Sequence, residues 1–252
     1  MSASRPQVTI AESFNYNLPP NIEITFQGSY RLLPSSSSDS TKRTDAPPAF
    51  LKIDVNMFAQ LAARALNPMR DQILLHATMP LLENAIAPSQ SCLASTGSTG
   101  YKIVCASEKI DGVQSRHDIA WSLQRNEPDN RKREKLIAVL EMKSTRSLAE
   151  EDFRRATART DAELKAMVGN SARFKNDETT WLQNNAVVLS KQAAKYGRAC
   201  KHVAMFDWSA MFIFDFSYGR DRTKGVFFRE SATSNGMNFR RLLLAFMLRA
   251  LG

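Results

Sequence analysis

A chain of 252 residues with 43% hydrophobic and 23% charged residues has the composition of a globular domain, which excludes wholesale disorder. Only 10 glycines and 10 prolines are present and no period repeats, which excludes collagen-like and repeat architectures. The net charge of +9 attracts polyanions over about 8 Å at physiological salt; from charge alone nucleic acid is the leading candidate partner and an anionic membrane surface the weaker one.

The first 48 residues read as an N-terminal arm. Val8 to Ile10 and Ile22 to Phe26 suit short strands, and the run from Ser35 to Pro48 (SSSSDSTKRTDAPP) has the composition of a flexible linker. The arm is therefore expected to be dispensable for folding, with residues 49–252 as the folded domain. Within that domain, Asp54 to Leu66 spaces Val55, Phe58, Leu61, Ala62 and Leu66 as a helix does, and a second helix is predicted over Asp71 to Ile86, interrupted at Pro80. After a Ser/Thr/Gly-rich loop come three predicted strands: Tyr101 to Ala106, His117 to Leu123, and Leu136 to Met142. The last is nearly continuous in apolar residues, as a strand buried on both faces should be. The polar segment Gln124 to Lys135, with Arg131, Lys132 and Arg133, reads as an exposed hairpin loop.

A polar helix is predicted over Ser147 to Val168, and a second over Asn185 to Cys200 with Asn184 or Asn185 as N-cap. Strands follow at His202 to Trp208 and Met211 to Phe216, then a closing helix from Asn238 to Leu251. This order calls for an α/β or α+β fold, a mixed central sheet flanked by helices. No run of about 18 apolar residues exists, and the N-terminus lacks the apolar core of a secretory signal. An intracellular protein, nuclear or cytoplasmic, with no membrane partner is expected. Three cysteines without CxxC spacing and three histidines argue for a reducing compartment and against a zinc site.

Candidate chemistry centres on Asp118, at the head of the second of these strands, and on Glu141-Met142-Lys143 at the end of the third. Residues two apart on a strand emerge on one face, so Glu141 and Lys143 share a face. If the two strands are hairpin neighbours, Asp118 lies beside Glu141. Two close carboxylates repel, which favours a divalent cation between them, and hard oxygen ligands select Mg²⁺ or Mn²⁺. A nearby lysine suits an attacking water or a phosphate, the set that metal-assisted phosphodiester hydrolysis needs. The triplet alone is weak, because a second copy, Glu163-Leu164-Lys165, occurs in a polar helical stretch, where i and i+2 diverge by about 200°. Context distinguishes the first copy: its charges directly follow the buried run Leu136 to Leu140.

One turn apart on the next helix stand Gln192 and Tyr196, in the pattern Q-x-x-x-Y. With Asp118, Glu141-x-Lys143 and Gln192-x-x-x-Tyr196 in this order on strand, strand and helix, the chain resembles the PD-(D/E)XK (restriction-endonuclease-like) nuclease superfamily, and within it the RecB and lambda-exonuclease type, over about residues 70–216. The resemblance implies a restriction-endonuclease-like core and a Mg²⁺- or Mn²⁺-dependent nuclease, with DNA ahead of RNA as substrate. It implies that Asp118, Glu141 and the backbone carbonyl of Met142 bind the metal, with Glu83 on the first helix as a further ligand. Lys143 would act on the nucleophilic water, and Gln192 and Tyr196 would position the phosphate or the lysine. Lys191, Lys195 and Arg198, beside Gln192, suit a phosphate backbone, as do Arg131, Lys132 and Arg133. His117 and the aromatic residues Phe206, Trp208, Phe212, Phe214 and Phe216 read as structural. Two rival readings stay open: a catalytically inactive nucleic-acid-binding or protein-interaction module on the same fold, and a basic scaffold domain without nucleic acid. Oligomeric state is left open.

Overall fold

In a computed structural model of the chain, the described residues are 9–15, 30–33, 38–67, 101–110, 116–126, 132–171, 173, 179–230 and 236–251. In chain order they form α1 (Ile10–Ser13), α2 (Asp39–Lys42), β1 (Phe50–Lys52), α3 (Val55–Leu66), β2 (Tyr101–Ile110), β3 (Arg116–Asn126) and β4 (Lys132–Met142). Next come α4 (Glu150–Arg154), β5 (Thr157–Ala158), α5 (Asp161–Ser171), α6 (Asn184–Tyr196), β6 (His202–Phe206), β7 (Met211–Asp215), a 3-10 turn at Arg220–Arg222, β8 (Lys224–Phe228) and α7 (Phe239–Leu251).

The described strands make one eight-stranded sheet in the order β2-β3-β4-β6-β7-β8-β1-β5. β2, β3 and β4 are antiparallel neighbours, β4 and β6 are parallel, and β6, β7 and β8 are antiparallel again. A parallel pair needs a long crossover, and the chain between β4 and β6 supplies it with α4, β5, α5 and α6. The fold is a mixed α/β sheet with helices on both faces.

Alternation along β4 shows how the layers are filled. Ala138 and Leu140 face the cluster built by α3 and α7 around Phe58, Leu242 and Phe246. Val139 points the other way, into the cluster that holds Ala186, Leu189 and Ala193 of α6. The strand is therefore buried on both faces, as its apolar run indicates, and Glu141 continues the α6-facing row. Among the described residues no helix is long and apolar enough to cross a membrane.

Several predicted elements are corrected. The segment Gln124 to Lys135 is strand at both its ends: β3 runs on to Asn126, β4 begins at Lys132, and Gln124 pairs with Glu134, while residues 127–131 lie outside the described residues. Backbone pairing continues the hairpin past the point where apolar residues stop. Arg131 lies outside the described residues, whereas Lys132 and Arg133 stand in β4. The single helix over Ser147 to Val168 is divided, because Thr157 and Ala158 pair in parallel with Phe50 and Leu51. The second part restarts at Thr160, whose Oγ1 accepts from the Glu163 N–H at 3.2 Å while the Glu163 carboxylate accepts from the Arg159 N–H at 2.7 Å.

The arm is also corrected where it is described. Val8 to Ile10 was expected as a strand, but Thr9 caps a helical turn and exchanges bonds with Glu12 in a capping box. Phe14 is 1% exposed and packs with Leu66 and Leu244. Residues 38–48 are not a free linker: Ser38 caps α2, Thr41, Thr44 and Ala46 are buried, and the Pro48 carbonyl accepts from the Trp181 N–H at 2.9 Å. Ile22 to Phe26 and the predicted helix Asp71 to Ile86, with Glu83, lie outside the described residues.

Candidate active site at the ends of β3 and β4

Ile119 pairs with Leu140, so one further step of the same antiparallel register sets Asp118 opposite Glu141. Directly opposed residues share a face. At this point the ladder is completed by a side chain: the Met142 N–H donates to Asp118 Oδ2 at 2.7 Å. Asp118 is thereby oriented by the backbone of the very residue whose carbonyl was expected to complete a metal shell.

Glu141 is 7% exposed. A buried carboxylate needs donors, because an unpaired charge in low dielectric is costly. Its Oε1 accepts from Lys143 Nζ at 3.0 Å and from Gln192 Nε2 at 2.7 Å, and the Tyr196 hydroxyl also bonds the carboxylate. The same Gln192 amide nitrogen donates to the Tyr196 hydroxyl at 2.7 Å, using both of its N–H groups. The other oxygen, Oε2, is buried and has no hydrogen-bond partner among the described residues. The two oxygens of the carboxylate are thus unequally held.

The helix that brings Gln192 and Tyr196 here is held by its buried side. Ala186, Leu189, Ala193 and Tyr196 are all buried against the sheet. The Gln192–Tyr196 spacing therefore aims both polar groups at the strand end. Burial first, then the negative charge of Glu141 and the hydrogen bond to it, and last the charge of Asp118, push the Tyr196 hydroxyl well above its ordinary range against the lowering effect of Gln192, so it stays protonated. His117 is fully buried, and its ring meets Tyr196 edge to face with centroids 4.6 Å apart. That contact suits the structural role expected of His117.

Gln183 precedes α6 as its N-cap and gives no side-chain cap bond, so neither Asn184 nor Asn185 caps the helix. Instead Asn185 anchors the segment at 30–33, accepting from the Leu33 N–H at 2.7 Å and donating to the Arg31 and Ser147 carbonyls at 2.9 Å each. Asp152 holds the same place from the other side: Asn184 Nδ2 donates to it at 2.8 Å, and Tyr30 donates its hydroxyl to it. These tethers join residues far apart in sequence, and no local pattern announces them.

Beyond Glu141 the chain is fixed to β6. The Lys143 N–H donates to the Phe206 carbonyl at 2.7 Å, and the Leu148 N–H donates to Asp207 Oδ2 at 2.7 Å. Asp207 is fully buried, and its Oδ1 accepts from the Ser209 N–H, the Ser209 hydroxyl and the Ala210 N–H. Both oxygens are thus engaged in holding the strand ends, so this third acid is architectural.

Of the expected phosphate contacts, Lys191 and Lys195 are half-buried on α6 and Arg198 is exposed just past its end. Burial pushes the Cys200 thiol up to about 12, against the lowering effect of its bond to the His202 carbonyl and of nearby lysines, so it is no nucleophile at neutral pH. The decoy triplet behaves as a surface feature: Glu163 caps α5 and Lys165 is exposed.

Among the described residues no group of three or more His, Cys, Asp or Glu side chains is placed to hold a metal. The site has two such carboxylates. That number suits Mg²⁺ or Mn²⁺, which bind through one or two carboxylates and keep several waters, and does not suit a closed zinc site. The bare, buried Oε2 of Glu141 fits a cation ligand. Comparison with protein-family models, with curated proteins and with solved structures finds no match.

Proposed function

We propose that the protein is a divalent-metal-dependent nuclease, hydrolysing phosphodiester bonds of DNA in preference to RNA, on a core of the PD-(D/E)XK type. The observation that carries this reading is the divided carboxylate of Glu141, with Oε1 held by Lys143 and Gln192 and Oε2 buried without a partner, next to Asp118 across the hairpin. Asp118 and Glu141 would hold Mg²⁺ or Mn²⁺ together with the Met142 carbonyl and waters. When bound, the cation would lower the pKa of a water and offset charge on the phosphate. Lys143 stands within 3.0 Å of Glu141 and supplies a positive charge at the same point. Gln192 fixes the rotamer of Glu141, and protonated Tyr196, which accepts from Gln192 and bonds Glu141, adds a neutral hydroxyl beside the carboxylate. The net charge of +9 and the basic residues along and after α6 support a polyanionic substrate.

The test is incubation of the protein with single- and double-stranded DNA and RNA in Mg²⁺, Mn²⁺ or EDTA. Cleavage in metal and none in EDTA is expected. All substrates intact in Mn²⁺, with the protein folded, would overturn the catalytic reading.

A further inference from the structure

The aromatic residues of β6, β7 and the turns that flank them are core with one exception. Phe206, Phe212, Phe214 and Phe216 are buried, whereas Trp208 is 36% exposed. Its backbone is left-handed, with φ of 70°, a conformation that bulky residues rarely adopt. Such geometry persists where the surroundings over-determine it, and it clusters at functional positions. Here the surroundings are Asp207, which grips the turn through Ser209 and Ala210, and Phe206, whose ring lies 5.5 Å from the indole. The indole meets the Phe206 ring at a tilt of 48°, and enough of it stays exposed to take a stacking partner.

Its position follows from the sheet. Met142 pairs with Phe206, and the Lys143 N–H donates to the Phe206 carbonyl, so Asp207 stands beside Lys143 and Trp208 is one residue further. Strand spacing of about 4.8 Å and a Cα step of about 3.8 Å bound the Lys143–Trp208 Cα separation to about 9 Å. Along a nucleic-acid strand rising about 3.4 Å per nucleotide, this is a reach of two or three nucleotides. Trp208 therefore stands at the same sheet end as Glu141 and Lys143, reached over the edge of the sheet, since Phe206 beneath it faces α7 and Glu141 faces α6.

We propose that Trp208 stacks on an unpaired nucleobase one to three nucleotides from the phosphate held at Glu141 and Lys143, which directs the protein to single-stranded segments or frayed strand ends. This rests on the nuclease reading for its substrate but makes a separate claim. A base buried in a duplex offers no open face to the indole, while an unpaired base does, and aromatic stacking tolerates any sequence.

The full-length chain in EDTA, where metal-dependent cleavage is off, is titrated with a blunt duplex, with the same duplex carrying a short oligo-dT overhang, and with an overhang of abasic nucleotides. Wild type, Trp208→Phe and Trp208→Ala are compared, with circular dichroism to show that each is folded. Trp208→Ala should weaken binding to the oligo-dT overhang about ten-fold or more, leave the blunt duplex within about two-fold, and have no effect with abasic nucleotides. Trp208→Phe should restore most of the loss. Equal affinities of wild type and Trp208→Ala for the overhang, or equal losses on overhang and duplex, would overturn the proposal. Mn²⁺-supported cleavage in the same preparations separates the two claims. Cleavage with an indifferent Trp208 defeats the stacking proposal alone. Trp208-dependent overhang binding without cleavage defeats the catalytic reading alone. No binding to any nucleic acid defeats both.

Discussion

Lys143→Met replaces the ammonium by a neutral side chain of similar length and removes a donor from Glu141 Oε1. The pair is close, at 3.0 Å, and its side chains are 14% and 9% exposed, so solvent replaces the lost partner poorly. Breaking a buried pair from one side costs about 3–5 kcal/mol. The Gln192 bond remains at 2.7 Å, which places the expected loss nearer 2–3 kcal/mol, about 4–12 °C in Tm for a chain of this size. The catalytic consequence is larger in kind. A charge aimed at the reacting phosphate is worth about 10²–10³ in rate, whereas one positive charge among many changes nucleic-acid affinity by a few-fold, about 1 kcal/mol. Urea or thermal unfolding gives the first number, and cleavage and binding assays give the others. Lys165→Met is the matched control: Lys165 is exposed on α5 and follows a glutamate occupied in capping. Equal effects of the two substitutions on rate, or an unchanged Tm for Lys143→Met, would refute the assignment of the site to the end of β4.

Phe14→Ala should destabilise by about 3–5 kcal/mol, since the ring is 1% exposed between Leu66 and Leu244, whereas Leu32→Ala, 64% exposed, should fall within about 0.5 kcal/mol. A urea midpoint unmoved by Phe14→Ala would mean that the N-terminal segment does not pack on the body. Gly225→Ala should cost about 1–3 kcal/mol, because a Cβ there would stand 2.7 Å from Phe212 Cζ, and that ring is itself stacked on Phe153 at 4.1 Å; a neutral effect would show that the ring can yield. Stability should fall in two steps with acid. Burial holds His202 below its ordinary value of 6.5, so the unfolded chain takes up the proton first and stability declines as pH drops through 6.5. Burial raises Asp215, but its bonds to Ser217 and Arg249 outweigh this and leave it below 3.8, so its contribution is present above 3.8 and is lost as pH falls through the depressed value. Unfolding followed from pH 7 to 2 checks both, and His202→Asn should remove the upper step only.

What was legible in the sequence was what depends on local pattern. The run Leu136 to Leu140 announces a strand buried on two faces because both faces of the sheet are covered, and the order of acid, acid-x-lysine and Gln-x-x-x-Tyr places its residues together because each sits on a regular element. The structure joins Glu141, Lys143, Gln192 and Tyr196 by hydrogen bonds and sets Asp118 at Met142. Tertiary pairing hid the rest. Thr157 and Ala158 become a strand only because Phe50 and Leu51 lie beside them, and the serine-rich composition before Pro48 conceals buried Thr41, Thr44 and Ala46. Two helix starts carry a local signal: Thr9-x-x-Glu12 and Thr160-x-x-Glu163 both have capping-box spacing. Trp208 reads as core by alternation, and only the turn fixed by Asp207 takes it out of the sheet.

Metal-assisted hydrolysis at this strand end requires a cation at Oε2 of Glu141. Calorimetric titration of Mn²⁺ into the folded wild-type chain, Glu141→Gln, Asp118→Asn and Lys143→Met addresses that claim without substrate. The wild type should bind Mn²⁺ at this site, Glu141→Gln and Asp118→Asn should lose it, and Lys143→Met should keep it, because the lysine neutralises the carboxylate rather than ligating the metal. Binding that survives unchanged in both carboxylate variants, or no binding by the wild type, would contradict the account.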